Sequence, residues 1–135
     1  ECSVKVEKGE LAVIVGPNGA GKSTVMRVLL GMLEATSGSV TLDGNDISRL
    51  STQERISLGL AFVPQNKNVF PSMTVEENLE MGAFLRTDDI KKTMEEVYSL
   101  FPILYEKRRQ LAEELSGGQR QQVAFGRAMM TQPSV

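Results

Sequence analysis

Gly16-Pro17-Asn18-Gly19-Ala20-Gly21-Lys22-Ser23-Thr24 is the stretch on which the reading of this chain turns. An apolar run, Leu11-Ala12-Val13-Ile14-Val15, precedes it and reads as a buried strand. An amphipathic segment from Lys22 to about Met32 follows and reads as a helix. Strand, glycine-rich loop and helix, in that order, are the setting in which the spacing G-x-x-x-x-G-K-S has weight as a phosphate-binding loop. Gly16, Gly19 and Gly21 let the backbone curl without Cβ atoms in the way of a ligand. The curled loop turns its N–H groups inward, and the helix N-terminus adds unsatisfied donors and a partial positive charge. Lys22 can then reach the β- and γ-phosphates, the Ser23 hydroxyl is placed to ligate Mg²⁺, and Thr24 adds a hydroxyl for the α-phosphate. At average composition an accidental match arises in about one in two hundred chains of this length, and the flanking pattern lowers that further. The stretch implies binding of a nucleoside triphosphate.

Composition narrows what else the chain can do. Its 135 residues are one domain's worth of sequence, and 41% hydrophobic residues suffice for a core. Net charge is −2 with Lys and Arg spread along the chain, which gives no electrostatic footprint for nucleic acid. The longest wholly apolar run is residues 11–15, so no membrane-spanning helix is expected, and no signal peptide is read ahead of the first strand. Cys2 is the only cysteine, which excludes an internal disulfide and suits a reducing compartment. It is expected at a half-buried strand position. The absence of histidine removes Ser-His-Asp and Cys-His chemistry and histidine-based zinc sites.

Taken in order, residues 2–6 alternate with Cys2, Val4 and Val6 on one face and read as a strand. In the helix after the loop, Val25, Val28, Leu29 and Met32 recur at helical spacing and are expected to face a sheet. Val40 and Leu42 suggest a short strand ended by Asp43-Gly44. Ile47 to Leu58 reads as a loop and a short helix stopped by Gly59, and Leu60–Val63 as another buried strand, closed by Pro64. From Ser72 the character changes. Thr74-Val75-Glu76-Glu77 is a capping box, and Ile90, Met94, Val97 and Phe101 mark a second helix with Pro102 just past its end. A small helical subdomain without strands is therefore expected over residues 72–114.

Leu115-Ser116-Gly117-Gly118-Gln119 is the second informative run. Ser116 and Gln119 have capping-box spacing, so Ser116 can cap a helix from about Gly117 to Met130, and the two glycines leave its first turn bare. The result is another exposed helix N-terminus suited to an anion.

With both motifs in place, the chain resembles the nucleotide-binding domain of ATP-binding-cassette (ABC) ATPases. Gly16–Thr24 matches the family's Walker A motif, and Leu115, Ser116, Gly117, Gly118 and Gln119 match its signature motif residue for residue. Gln65, after Leu60–Val63, falls where the family places its Q-loop glutamine. The resemblance implies an α/β fold, a P-loop NTPase core of ABC type with a small helical subdomain. It divides the chain into a core with Walker A and Q-loop over 1–71, the helical subdomain over 72–114, and the signature motif with its helix over 115–135. It further implies ATP and Mg²⁺ as ligands, with Ser23 and Gln65 on the metal. A second ATPase subunit packed head to tail is implied too, so that Ser116, Gly118 and Gln119 of one copy meet the γ-phosphate held by Gly16–Thr24 of the other. Permease subunits are the implied membrane partners, with no nucleic-acid partner, and the cytoplasmic face of a bacterial or archaeal inner or plasma membrane is the implied location. The run Val69–Leu79 with Met81-Gly82-Ala83 is similar to the ATPases of branched-chain amino acid and urea importers.

Three family features have no counterpart here. No Asp or Glu follows Glu114, so the Walker B aspartate and catalytic glutamate are not assigned, and the switch histidine is absent. Residues 1–15 also hold no aromatic ring to stack on adenine. The expectation is a fragment lacking the Walker B strand, which binds nucleotide, hydrolyses it poorly and exposes an apolar edge at Leu11–Val15. Two other readings stay open. One is a non-transport ABC ATPase acting on chromosomes, repair or ribosomes, against which the interval from Gln65 to Ser116 shows no heptad run. The other is an inert, self-associating fragment.

Overall fold

A computed structural model describes residues 2–135 of the chain. Two units are separated at Arg49 and Leu50.

In the first unit the loop glycines set the path of the chain. Gly19 and Gly21 have φ of 86° and 88°, in the left-handed region, and the chain turns there into helix α1, Lys22–Leu29. The helix stops earlier than the expected Met32, and Gly31 is the reason. At φ 72° it ends the helix in a Schellman motif, with Met32 N–H donating to Arg27 O (2.8 Å) and Gly31 N–H to Val28 O (3.0 Å). Val25, Val28 and Leu29 are half-buried, whereas Met32 is exposed. Strands β1, Thr41–Leu42, and β2, Asn45–Asp46, form an antiparallel hairpin around Asp43-Gly44, both at positive φ as a type I′ turn requires.

The expected strands at residues 2–6, 11–15 and 60–63 do not form. Among the described residues the β1–β2 hairpin is the only sheet, Leu11 and Val15 are 88% and 85% exposed, and Cys2 is exposed rather than half-buried. Alternation and apolarity say which side of a strand can be buried. They do not supply the neighbour whose carbonyls complete a ladder, and residues 11–15 find none among the described residues. Residues 59–61 come nearest to pairing: Ala61 N–H donates to Val135 O (2.8 Å), and Val135 N–H to Gly59 O (3.0 Å).

The second unit is helical. Helix α2, Thr52–Ser57, and helix α3, Val75–Gly82, each start in a complete capping box, Ser51 with Glu54 and Thr74 with Glu77. Helix α4 covers Lys91–Leu100. Pro102 does not merely follow it: it opens helix α5, Pro102–Glu106, at the first position, where its missing N–H costs nothing. A 3₁₀ turn at Ala112–Glu114 leads into helix α6, Gly117–Met129. Val75, Leu79, Val97, Leu104, Val123 and Met130 are fully buried in one cluster, each contributing roughly 1.5–3 kcal/mol by leaving water.

Helices α3 and α6 pack against each other, and glycines permit it. A Cβ on Gly82 would strike the carbonyl oxygen of Arg127, and one on Gly126 would lie 2.8 Å from both Leu79 Cδ2 and Val97 Cγ1. Polar side chains tie down what leaves the helices. Arg86 grips Asp88 through two nitrogens and donates to Thr93 Oγ1 (3.0 Å) and to the Met130 carbonyl just past α6 (2.9 Å).

Candidate functional site

The loop of residues 16–24 is curled, not extended. Ala20 N–H donates to Pro17 O (3.2 Å), closing a turn, and Val25 N–H donates to Gly21 O (3.0 Å) as the first bond of α1. Around these two, the amides of Gly19, Gly21, Lys22, Ser23 and Thr24 have no acceptor among the described residues. This follows from geometry, since the first N–H groups of a helix lack carbonyls to bond. Lys22 Nζ folds back onto the loop and donates to Gly16 O (2.7 Å) and Pro17 O (2.8 Å). An ammonium carries three N–H donors, so one remains for another acceptor. Pro17 and Asn18 complete the exposed turn with Gly16, Gly19 and Ala20, and the residues of Ser23 and Thr24 are also exposed. The array is therefore a concentration of backbone donors, a positive helix end, one ammonium and two hydroxyls, with no carboxylate in residues 11–33. Its chemistry suits a multiply charged anion. A cleft of about 990 Å³ opens beside it, lined by Thr24, Val25, Val28 and Leu29 of α1 and by residues 2–4 and 35–40, with no aromatic ring.

The second run lies in the other unit and repeats part of this pattern. Ser116 Oγ accepts from Gln119 N–H (3.3 Å), and Gln119 Oε1 accepts from Ser116 N–H (3.1 Å). Gly117 and Gly118 keep free amides, and a Cβ at either would meet nothing within 4 Å. Leu115 is buried beneath them and anchors the turn. Arg120 Nη1 donates to the Leu115 carbonyl (2.6 Å), which brings a guanidinium next to the motif. Gln65 sits in an exposed loop. Among the described residues no cluster of three or more Cys, Asp or Glu forms a metal site. A hard cation at this chain would draw on hydroxyl, amide and phosphate oxygens.

Sequence reasoning passed over the residues that hold the Gln65 loop. Asn68 Nδ2 donates to Gln121 Oε1 on α6 (2.8 Å). Asn78 on α3 accepts from Phe70 N–H (2.7 Å) and donates to Phe70 O (3.0 Å). The Arg127 guanidinium stacks over the Phe70 ring at 4.9 Å, and burial lowers its pKa. None of these contacts is local, and no spacing in the sequence announces them. The capping box of Ser51 and Glu54, equally passed over, does carry a local S-x-x-E pattern.

Curled loop, free donors and lysine are arranged as an anion would require, and the serine-capped helix exposes a second set of donors. The chain belongs to the ABC transporter family, whose profile matches residues 1–135. It is 42% identical to the high-affinity branched-chain amino acid transport ATP-binding protein BraG of Pseudomonas aeruginosa, over all of this chain and 58% of that protein. It is 36% identical to the molybdate/tungstate import ATP-binding protein WtpC of Thermococcus kodakarensis, over all of this chain and 41% of that protein. Among solved structures, a nucleotide-free ATP-binding cassette from an ABC transporter superposes with a TM-score of 0.83 at 32% identity, covering 96% of this chain and 57% of that one. A dimeric bacterial ABC transporter cassette gives 0.82 at 27% identity, with 96% and 60% covered. The fold class is thus that of these α/β cassettes, although few of its strands form here. The chain spans little more than half the length of the first of these relatives.

Proposed function

We propose that this chain is the ATP-binding part of an ABC transporter subunit that couples ATP binding and hydrolysis to movement of a solute. The observation that supports the reading most is the curled loop with five unbonded amides around Lys22. In this reading Gly16–Thr24 wraps the triphosphate, and Lys22 exchanges a carbonyl partner for the β- and γ-phosphates. Ser23 and Gln65 supply oxygen ligands to Mg²⁺, which when bound neutralises charge on the phosphates. The cleft beside Thr24 offers volume for the nucleoside end, without a ring to stack on the base. Two copies pair head to tail. Leu115 sets the turn from which Ser116, Gly117, Gly118 and Gln119 present their donors to the γ-phosphate on the partner copy. With a positive helix end on each side, the γ-phosphate holds the pair closed, and its loss releases it. Residues 1–71, 72–114 and 115–135 serve as core, permease-facing helical part and signature helix, on the cytoplasmic face of a bacterial or archaeal membrane.

Import of branched-chain amino acids or related solutes is the finer proposal, supported by the 42% identity to BraG. A protein made of residues 1–135 alone is proposed to bind ATP and turn it over slowly, since no carboxylate follows Glu114 to act as general base.

Titration with ATP and Mg²⁺, followed by calorimetry, tests the core of the reading. Saturable 1:1 binding is expected, with affinity reduced about a hundredfold or more in Lys22→Ala, because a charge-assisted phosphate contact and its positioning are both lost. Equal binding by the wild-type and substituted chains would remove the assignment.

A further inference from the structure

Asn18 is followed by Gly19 in the turn at the tip of the loop. Ala20 N–H donates to Pro17 O across that turn (3.2 Å), and Gly19 takes its third position at φ 86°. Both residues are exposed, and the Gly19 N–H has no acceptor among the described residues. A Cβ built on Gly19 would meet nothing within 4 Å. The Gly19 nitrogen is therefore unbonded, unshielded and next in the chain to a carboxamide. The charge around it is positive. Lys22 Nζ bonds the Pro17 carbonyl (2.8 Å), α1 begins at Lys22, and residues 11–33 hold no carboxylate. Such surroundings favour negative charge that develops on a reacting group, as they favour phosphate. No other asparagine combines these features. Asn45, Asn66, Asn68 and Asn78 precede Asp46, Lys67, Val69 and Leu79, whose side chains crowd the nitrogen that would have to react. The amides of Asn68 and Asn78 are also held by hydrogen bonds.

We infer that Asn18–Gly19 is a site of spontaneous modification, at which the empty loop converts its own asparagine to an aspartyl or isoaspartyl residue, and that bound nucleotide guards it. The Gly19 nitrogen gives its proton to solvent base and attacks Cγ of Asn18. The new N–Cγ bond closes a succinimide ring as the Cγ–Nδ2 bond breaks, and Nδ2 takes up a proton and leaves as ammonia. Water then opens the ring. Addition at Cγ leaves an aspartyl residue, and addition at the backbone carbonyl leaves an isoaspartyl one, through whose side chain the main chain now runs. No electrons are gained or lost. Either product puts a carboxylate into a loop that has none, and the isoaspartyl one also lengthens the backbone between Gly16 and Gly21, so that the donors lose their spacing. The guarding half rests on the proposed function: a triphosphate seated on these amides stills the turn and cancels the positive charge that favours the reaction.

The test incubates the full chain of the transporter subunit in mildly alkaline buffer that leaves its circular dichroism unchanged. Peptide mapping by mass spectrometry then follows conversion of amide to acid at each asparagine, and calorimetry follows ATP binding. Asn18 should convert ahead of every other asparagine. The converted protein should bind ATP about tenfold or more weakly, the scale of one like charge set close to a phosphate near a protein surface. ATP with Mg²⁺ at about ten times its Kd should slow the conversion about tenfold, in step with the fraction of empty loops. The same ATP should give Lys22→Ala no protection. Asn18→Gln can close only a larger, slower ring, so its ATP binding should hold steady on standing, judged against its own fresh sample. Conversion at Asn45 or Asn66 with Asn18 intact overturns the inference. So does conversion of Asn18 at one rate with and without saturating ATP in a protein that calorimetry shows to bind it. A wild type that binds no ATP yet converts at Asn18 overturns the proposed function and the guarding half, and leaves the modification standing.

Discussion

Asn78 does for a loop what a strand partner would do for an extended segment. It is fully buried on α3, and its one amide serves the Phe70 N–H and the carbonyls of Phe70, Met73 (3.2 Å) and Thr74 (2.9 Å). Asn78→Ala leaves the Phe70 N–H without its acceptor and takes one donor from each of the three carbonyls, which keep the N–H groups of Met73, Ala112 and residue 78. It should destabilise the second unit by about 2–3 kcal/mol, read as a lower urea midpoint with an unchanged slope. Charge at the surface acts through caps instead. Hydrogen bonds from the Thr74 backbone N–H and hydroxyl hold the Glu77 carboxyl below its usual value of 4.5. The Ser51 hydroxyl and N–H do the same for Glu54, and the Arg86 guanidinium does it for Asp88. A carboxyl depressed on folding adds stability above its unfolded pKa and loses it as pH falls through the folded one. Stability of this unit should therefore be flat from pH 7 down to about 5 and then decline. Glu77→Gln keeps an acceptor, as Gln119 does in its own box, and should flatten part of the acid limb in urea melts taken from pH 7 to 3.

At the level of elements, the α3–α6 crossing separates two substitutions that look equivalent in sequence. In Gly82→Ala the new methyl meets the Arg127 carbonyl, backbone of a packed helix that cannot yield. In Gly126→Ala it meets side-chain methyls of Leu79 and Val97 rather than backbone, and the helix interior gains propensity of up to ~1 kcal/mol. Gly82→Ala should cost about 2–3 kcal/mol by overpacking and Gly126→Ala less than ~1, a ranking that thermal melts can check. A result with Gly126→Ala the worse would mean that the side chains of this core are more tightly held than its backbone. The same elements show what sequence discloses. Thr74 with Glu77, and Ser116 with Gln119, announce their helices because a cap is a local transaction over three residues. Asp43-Gly44 announces its turn for the same reason. Pro102 reads in the sequence as a terminator and in the structure opens a helix, since proline punctuates both ends of helices. The packing of Gly82 on Arg127 has no local signature at all.

Over the molecule as a whole, burial is uneven. Among the described residues the second unit holds an eleven-residue apolar cluster, whereas Leu30 and Ile47 are the buried hydrophobics of the first. The phosphate loop was legible because its chemistry is local: glycines, a lysine and a helix start suffice to specify it. The strands expected around it were not, because a strand exists only with its neighbour, and apolar spelling at Leu11–Val15 says nothing of where that neighbour is. This division has a dynamic consequence. Amides of residues 11–15 have no acceptor among the described residues and should exchange with solvent within seconds, while those of Val123–Met130 should persist orders of magnitude longer. Residues 16–24 belong to the fast class until a ligand occupies their donors. Adding ATP with Mg²⁺ should slow exchange of the amides of Gly19, Gly21, Lys22, Ser23 and Thr24, and leave α6 beyond Gln121 unchanged in a monomer. Lys22→Ala should abolish that protection without altering the exchange of α6, because the lysine acts on the anion and not on the fold of the other unit. Protection that appeared in residues 11–15 but not in the loop would mean that nucleotide acts by ordering an edge. The donors around Lys22 would then have lost their claim to the triphosphate.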